Sequence, residues 1–152
     1  MDHRVEGKRR SRSTSPSMEQ YVETIASLLQ RDKVTTISEI AETAGVSRPA
    51  ASRSVRDLAE KELVEHKSYG YVTLTPKGQD LAEHLFTRHR ALLTFFRQIL
   101  QLDEEIADRE ACRLEHQVDD NIVDRMTLLT AFFESRPDAA GEWFNMLDAS
   151  KR

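Results

Sequence analysis

Cysteine is almost absent from this sequence, and long apolar runs are missing altogether. The single cysteine, Cys112, excludes an internal disulfide framework and is typical of a reducing compartment. No apolar stretch approaches the roughly 18 residues that a membrane span requires, and the N-terminal segment lacks the apolar core of a secretory signal. These absences predict a cytoplasmic protein without membrane contact, whose lone thiol is a core residue, a metal ligand or a reactive group.

The chain also lacks the overall basic charge that is typical of DNA-binding proteins, since its formal net charge is −4. The charge is unevenly distributed: residues 1–16 carry five basic and two acidic side chains, whereas residues 77–152 carry ten and fifteen. Local charge governs contact with phosphates, so the acidic total does not exclude nucleic acid. Residues 1–16 have almost no apolar side chains and are predicted to be a disordered basic tail, either a phosphate-contacting arm or a solvated leader.

Helical periodicity and capping residues predict a mostly α protein. Three helices come first. Ser17 is predicted to cap the first helix and Ser47 the third, whereas the second opens at Thr36 or Ser38 and stops at Gly45. The third is predicted to continue to residue 63. A segment of alternating residues with two short strands follows, and four further helices, the last of them short, complete the chain.

The second and third predicted helices are separated by a short turn at residues 45–47, which is the helix-turn-helix pattern. With the hairpin behind it, the pattern predicts a winged helix-turn-helix DNA-binding domain over residues 17–75. Small residues keep the third helix slim enough for the major groove, and arginines supply donors for bases and phosphates. An amphipathic hairpin with merely solvated charges is the alternative. The residues predicted to contact DNA are Ser47, Arg48, Pro49, Ser52, Arg53 and Arg56, with Lys67 and Tyr69 in the wing.

Three potential metal ligands lie within five residues of one another in the second half of the chain. Cys112, Glu115 and His116 stand at i, i+3 and i+4, which on one continuous helix places a thiol, a carboxylate and an imidazole on the same face. The spacing alone leaves two interpretations open, a partial coordination shell or a core cysteine beside a solvated Glu-His pair. Three donors do not close a site, so other helices would have to supply the rest. The candidates for these further ligands are His89, Glu23 and Gln20.

Five segments together carry a family resemblance: residues 17–25, the helix-turn-helix, LTPKGQDLA, TRHRALL and EACRLEH. They resemble the diphtheria toxin repressor and manganese transport regulator family over about residues 16–126. The resemblance implies a homodimeric, metal-activated transcriptional repressor of metal-ion uptake or homeostasis genes. It would bind an operator in double-stranded DNA and would not be an enzyme. Residues 76–152 would form an all-helical metal-binding and dimerisation domain.

The resemblance also implies roles for individual residues. Cys112, Glu115 and His116 match the primary-site segment of the iron-sensing branch. His89 matches a histidine that both branches use, and Glu23 matches a carboxylate ligand of the manganese branch.

Three positions depart from the family pattern. Gln20 stands where iron sensors have Met and manganese sensors have Asp. Leu93 and Asp108 replace a Glu and a His of an ancillary site, which favours one metal site over two. The thiol of Cys112 favours Fe(II) over Mn(II), and Zn(II) or Co(II) are expected to bind in vitro because affinity follows the Irving–Williams order.

The predicted dimer interface is an apolar set on the penultimate helix, any member of which could instead belong to the intrachain core. The set is Ile122, Met126, Leu128, Leu129, Phe132 and Phe133. Two other functions remain open. One is a metal-independent winged-helix repressor of the multiple antibiotic resistance type, which also often carries an LTPKG-like segment after its wing. The other is a metalloenzyme, although no nucleophile–base arrangement, HExxH spacing or Gly-rich phosphate loop supports it.

Overall fold

A computed structural model describes residues 16–67 and 70–150. Within these ranges lie seven helices and one three-stranded antiparallel sheet. The helices are α1 (Pro16–Arg31), α2 (Ile37–Ala44), α3 (Arg48–Glu60), α4 (Pro76–Gln98), α5 (Glu104–Leu114), α6 (Asp120–Ser135) and α7 (Pro137–Ser150). The strands are β1 (Thr35–Thr36), β2 (Val64–His66) and β3 (Tyr71–Leu74), in the order β1-β3-β2. The predicted mostly α fold and its element order are confirmed. Residues 1–15 of the predicted 1–16 tail and Tyr69 lie outside the described residues, whereas Pro16 belongs to α1.

Side-chain caps define the ends of the helix-turn-helix. The backbone N–H of Glu39 donates to Thr36 Oγ1, and the Glu39 carboxylate accepts the backbone N–H of Thr36 at 2.7 Å. This capping box makes Thr36, and not Ser38, the N-cap of α2. The hydrogen bonds from Thr36 also hold the pKa of the Glu39 carboxyl below its ordinary value. Gly45 ends α2 with a left-handed φ of 66°, and Ser47 caps α3 by accepting the N–H of Ala50.

Two helix boundaries differ from the sequence-based expectation in the first half. α1 begins at Pro16, before the predicted cap Ser17, because a proline in the first turn needs no partner for an N–H. α3 ends at Glu60 rather than at Leu63, and Glu62 takes a left-handed φ of 59°, which is incompatible with a continuing helix.

Three other features of the structure differ from the sequence-based expectation. α5 ends at Leu114, so that Glu115 and His116 begin the turn that follows, although the N–H of Glu115 still bonds to the carbonyl of Ala111 at 2.9 Å. α7 is 14 residues long where a short helix was predicted. The strand β1 was not predicted, because its two residues form a strand only by pairing with β3.

Helix α4 connects two hydrophobic cores. The first core packs α1, α2, α3 and the sheet, and Ala82 of α4 belongs to it. The second packs Leu92 and Phe96 of α4 against α5 and α6. At its start α4 runs so close to the turn between α3 and β2 that a Cβ on Gly78 would lie 2.0 Å from the carbonyl oxygen of Leu63. None of the helices in the described ranges is long and apolar enough to cross a membrane.

Candidate metal centre

Ionisable side chains from both halves of the molecule meet between α1, α4 and the end of α5. On α1, Glu19 and Glu23 are four residues apart and therefore share a helix face. α4 contributes His89, and α5 with its following turn contributes the rest. The full cluster is Glu19, Glu23, His89, Cys112, Glu115 and His116.

The first donor group consists of His89, Cys112 and Glu115, which offer a nitrogen, a sulfur and an oxygen within 4.8 Å of one another. His89 Nδ1 lies 2.9 Å from Glu115 Oε2 and 3.9 Å from Cys112 Sγ. Glu115 is buried, His89 is half-buried and Cys112 is exposed. The group therefore lies at the edge of the protein interior, with its sulfur on the solvent side.

The second donor group consists of Glu23, Glu115 and His116. His116 Nε2 lies 3.5 Å from Glu23 Oε2 and 3.4 Å from Glu115 Oε1. Glu115 thus turns one carboxylate oxygen towards each group, Oε2 towards His89 and Oε1 towards His116. The two groups are neighbours that share one residue.

A further carboxylate, Glu19, lies behind His116. Its Oε2 is 2.7 Å from His116 Nδ1, and both side chains are buried, with exposed fractions of 7% and 5%. The sequence reasoning missed Glu19 and selected its neighbour Gln20, which the structure leaves exposed on α1. The available signal was the spacing of Glu19 and Glu23, which places them on one helix face.

Burial and like charges raise the proton affinity of the centre. Desolvation, followed by the negative charge of Glu115, raises the pKa of Glu23 to about 7. Desolvation also raises the pKa of Glu115 and that of the Cys112 thiol. Crowding carboxylates in a partly buried space is costly without a compensating cation. With nitrogen, oxygen and sulfur donors within reach, the residues fit a divalent transition-metal ion.

The predicted DNA-contacting side chains lie mainly on the outer face of α3. Its inner face, with Ala51, Val55 and Leu58, is buried in the first core. Arg56 Nε donates to the carbonyl of Ser52 at 3.4 Å, and Ser52 is half-buried. The predicted contact residues that the structure leaves exposed are Ser47, Arg48, Pro49, Arg53, Arg56 and, at the end of β2, Lys67. These side chains are accessible to a ligand without any change in the core.

Two family models cover most of the chain. The N-terminal DNA-binding domain of the iron-dependent repressors matches residues 13–72, and their metal-binding and dimerisation domain matches residues 75–143. The chain belongs to the iron-dependent repressor family. The resemblance drawn from the sequence is thereby confirmed. Iron-dependent repressors are DNA-binding transcriptional regulators and not enzymes, which removes the metalloenzyme alternative.

Similar curated proteins include several transcriptional regulators named MntR. The transcriptional regulator MntR of Listeria welshimeri is 34% identical over 125 residues, which are 82% of this chain and 87% of the relative. MntR of Bacillus pumilus is 35% identical over 121 residues, 80% of this chain and 83% of the relative.

Solved structures of manganese regulators share the fold. The manganese regulator SloR has a TM-score of 0.67 and 34% identity over 78% of this chain and 55% of its own. A manganese-dependent transcriptional repressor in complex with manganese has a TM-score of 0.68 and 34% identity over 76% of this chain and 53% of its own. The chain therefore spans about half the length of these two structures.

Proposed function

We propose that this protein is a homodimeric, metal-activated repressor that acts in the cytoplasm on genes of metal-ion uptake or homeostasis. The observation that carries the proposal is the pair of donor groups that meet at Glu115, because they join α1 of the DNA-binding half to α4 and α5 of the helical half. The position of the Cys112 thiol in a donor group and the matched family models support the same function.

Two ions would have ligands in this arrangement. His89, Cys112 and Glu115 would hold one, and Glu23 and His116 would hold a second together with Glu115. This goes beyond the single site favoured by the sequence. Bound cations would supply the positive charge that the clustered carboxylates lack. Gln20 as a ligand stays a prediction, which its exposure does not support.

The proposed coupling rests on where the donors are attached. Glu23 sits on α1, which packs directly on the core of the winged helix, whereas His89, Glu115 and His116 belong to the helical half. Holding these side chains at fixed mutual distances fixes the orientation of α1, and with it that of α3. In a dimer, correctly oriented recognition helices meet successive major grooves about 34 Å apart. Metal and DNA would then each raise the affinity for the other, by about 5- to 150-fold.

The DNA surface is proposed to be the outer face of α3 together with the wing. Arg48, Arg53 and Arg56 are exposed there and present guanidinium groups that suit phosphates and guanine edges. The overall negative charge does not oppose this, since the acidic excess lies in residues 77–152.

The dimer interface is proposed to lie on α6. Of its predicted residues, Met126 packs against the second core, and the ring of Phe133 stacks on Trp143 with centroids 6.2 Å apart. These two residues are therefore already used within the chain. The remaining members are exposed and carry the proposal: Ile122, Leu128, Leu129 and Phe132.

The activating ion is proposed to be Mn(II) or Fe(II). The similar solved structures support Mn(II), since they include the manganese regulator SloR and a manganese-dependent repressor in complex with manganese. The thiol of Cys112 supports Fe(II), because sulfur is a softer donor than carboxylate oxygen. We give Mn(II) first place on the relatives and expect Cys112→Glu to move the preference further from Fe(II) towards Mn(II). Equal responses of the parent and variant to the two ions would contradict a selective role for the thiol.

The test of the proposed function measures DNA binding by the full chain with Mn(II), Fe(II), Zn(II) or a chelator. The duplex is selected from a random pool in parallel with and without Mn(II). We expect metal to tighten binding at least fivefold and His116→Ala to abolish this gain. His84→Ala is the control, because His84 lies on α4 outside both donor groups. Equal binding under all conditions would indicate the metal-independent repressor instead.

A further inference from the structure

The imidazole of His89 lies between two carboxylates, one at each ring nitrogen. Nδ1 faces the first donor group, with Glu115 Oε2 at 2.9 Å and Cys112 Sγ at 3.9 Å. Nε2 faces away from that group and lies 3.1 Å from Asp108 Oδ1. Because the two nitrogens point out of different edges of the ring, Asp108 contacts the edge that the donor group does not use.

The position of Asp108 on α5 explains this contact. Asp108 precedes Cys112 by four residues, so both side chains project from the same helix face towards α4. Its side chain is 59% exposed and that of His89 is 21% exposed. Asp108 therefore contacts the Nε2 edge of His89, while Cys112 and Glu115 contact the Nδ1 edge.

We propose that Asp108 is a positioning residue for His89: it accepts the Nε2–H and leaves the Nδ1 lone pair directed at the first donor group. A neutral imidazole carries one proton, and the hydrogen bond at one nitrogen decides which nitrogen is free to bind a metal. A carboxylate behind a metal-ligating histidine fixes both the tautomer and the ring orientation. The inference rests on the proposed function, since it assigns Asp108 a role at the same centre.

Two other roles for Asp108 predict different behaviour. As a direct ligand, its oxygen would have to join the donors at Nδ1 of His89, whereas it lies at Nε2. As an ordinary surface ion pair, it would leave metal affinity unchanged, because exposed pairs contribute little. A positioning residue differs from both, because it changes the affinity for the metal without changing the set of donor atoms.

The experiment titrates the full chain with Co(II) and follows the thiolate-to-metal absorption that Cys112 would give. The variants are Asp108→Ala and Asp108→Asn, with Asp124→Asn on the exposed surface of α6 as the matched control. We expect Asp108→Ala to weaken Co(II) binding by about 10- to 100-fold. Asp108→Asn should recover most of this loss, because its amide oxygen still accepts the Nε2–H. The thiolate band at saturation should be unchanged in both variants, and Asp124→Asn should bind as the parent does.

A second readout locates the proton directly. Long-range 1H–15N spectra of the Zn(II)-loaded protein should show His89 protonated at Nε2, with the Nε2 shift altered in Asp108→Ala. A proton on Nδ1, or unchanged Co(II) affinity in Asp108→Ala, would overturn the inference. Equal losses in both variants, with a changed absorption spectrum, would make Asp108 a direct ligand and overturn it as well. A parent protein that binds no Co(II) would instead defeat the proposed function itself.

Discussion

The DNA-binding half and the helical half of the molecule bury apolar, polar and charged side chains in different proportions. The first core contains thirteen buried apolar residues, one of which is Ala82 of α4, whereas the second core contains five. In the second half Arg88, Glu115, His116 and Thr130 are buried as well, and α6 leaves large apolar side chains exposed. Apolar packing therefore dominates in the winged helix, where Glu19 and Thr35 are buried polar side chains, whereas the helical half buries more charge and exposes more apolar surface.

The buried charges of the second half include a structural link apart from the donor groups. The guanidinium of Arg88, with a side chain 5% exposed, donates to Asp120 at the start of α6 and to the carbonyl of Val118. His84 Nε2 also lies 3.3 Å from the same aspartate. Arg88 therefore holds the connection between α5 and α6 against α4. It immediately precedes His89, which belongs to the first donor group.

The largest expected effect breaks the junction between the two halves. Gly78→Ala places a Cβ where the Leu63 carbonyl oxygen would be 2.0 Å away, so the backbone must shift. We expect a loss of about 3 kcal/mol in the free energy of unfolding, measured by urea denaturation. The control is Gly141→Ala in α7, where a Cβ would meet nothing within 4 Å. That variant should be stabilised by about 0.5–1 kcal/mol. Similar results for the two glycines would contradict the close approach.

The next prediction tests whether the helical half is stabilised when a cation compensates its buried negative charge. Mn(II) at about 100 times its dissociation constant should stabilise the protein by about 2.7 kcal/mol, because it binds the folded state alone. Thermal unfolding with Mn(II) and with a chelator measures the gain. It should shrink in His116→Ala, which removes a ligand of the second donor group, and persist in full in His84→Ala. An undiminished gain in His116→Ala would place the stabilising ion outside the second donor group.

The exposed face of α6 gives a smaller prediction about association. Leu128 is 70% exposed, so Leu128→Glu should leave the fold intact while placing a charge in the proposed interface. We expect the dimer dissociation constant to rise at least tenfold, or about 1.4 kcal/mol, as measured by sedimentation equilibrium. Glu42→Gln, exposed on α2 away from this helix, is the control and should not change the association. Unaltered dimerisation of Leu128→Glu would exclude this face as the interface.

The smallest effect concerns a local cap in the DNA-binding half. The pKa of Glu39 is held below its ordinary value of 4.5 by its hydrogen bonds with Thr36, so its stabilising contribution is present above that value. It should be lost as the pH falls through the lowered pKa of the folded state. The stability difference between the parent and Glu39→Gln should therefore shrink on acidification, in thermal melts from neutral to acid pH. Glu42→Gln, exposed on α2, is the matched control. A difference that is independent of pH would contradict the role of the carboxylate charge.

Local features of the fold were predictable because their causes lie within a few residues. Thr36, Gly45 and Ser47 mark the ends of α2 and α3 through hydrogen bonds and dihedral angles that involve near neighbours. The end of α5 was less predictable, because the apolar pattern continues past Leu114 while the helix does not. Such an end depends on how the following turn packs against α4.

The helix-turn-helix, the hairpin and the clustered thiol, carboxylate and imidazole at the end of α5 follow from the sequence, because spacing along the chain specifies each of them. Only the tertiary structure decided which distant side chains complete the centre. Glu19 and His116 are 97 positions apart, and His89 and Asp108 are 19 apart. No periodicity links such positions, since their contact depends on how α1 and α5 pack around α4. The same packing gives β1 its partner and turns the two oxygens of Glu115 towards different histidines.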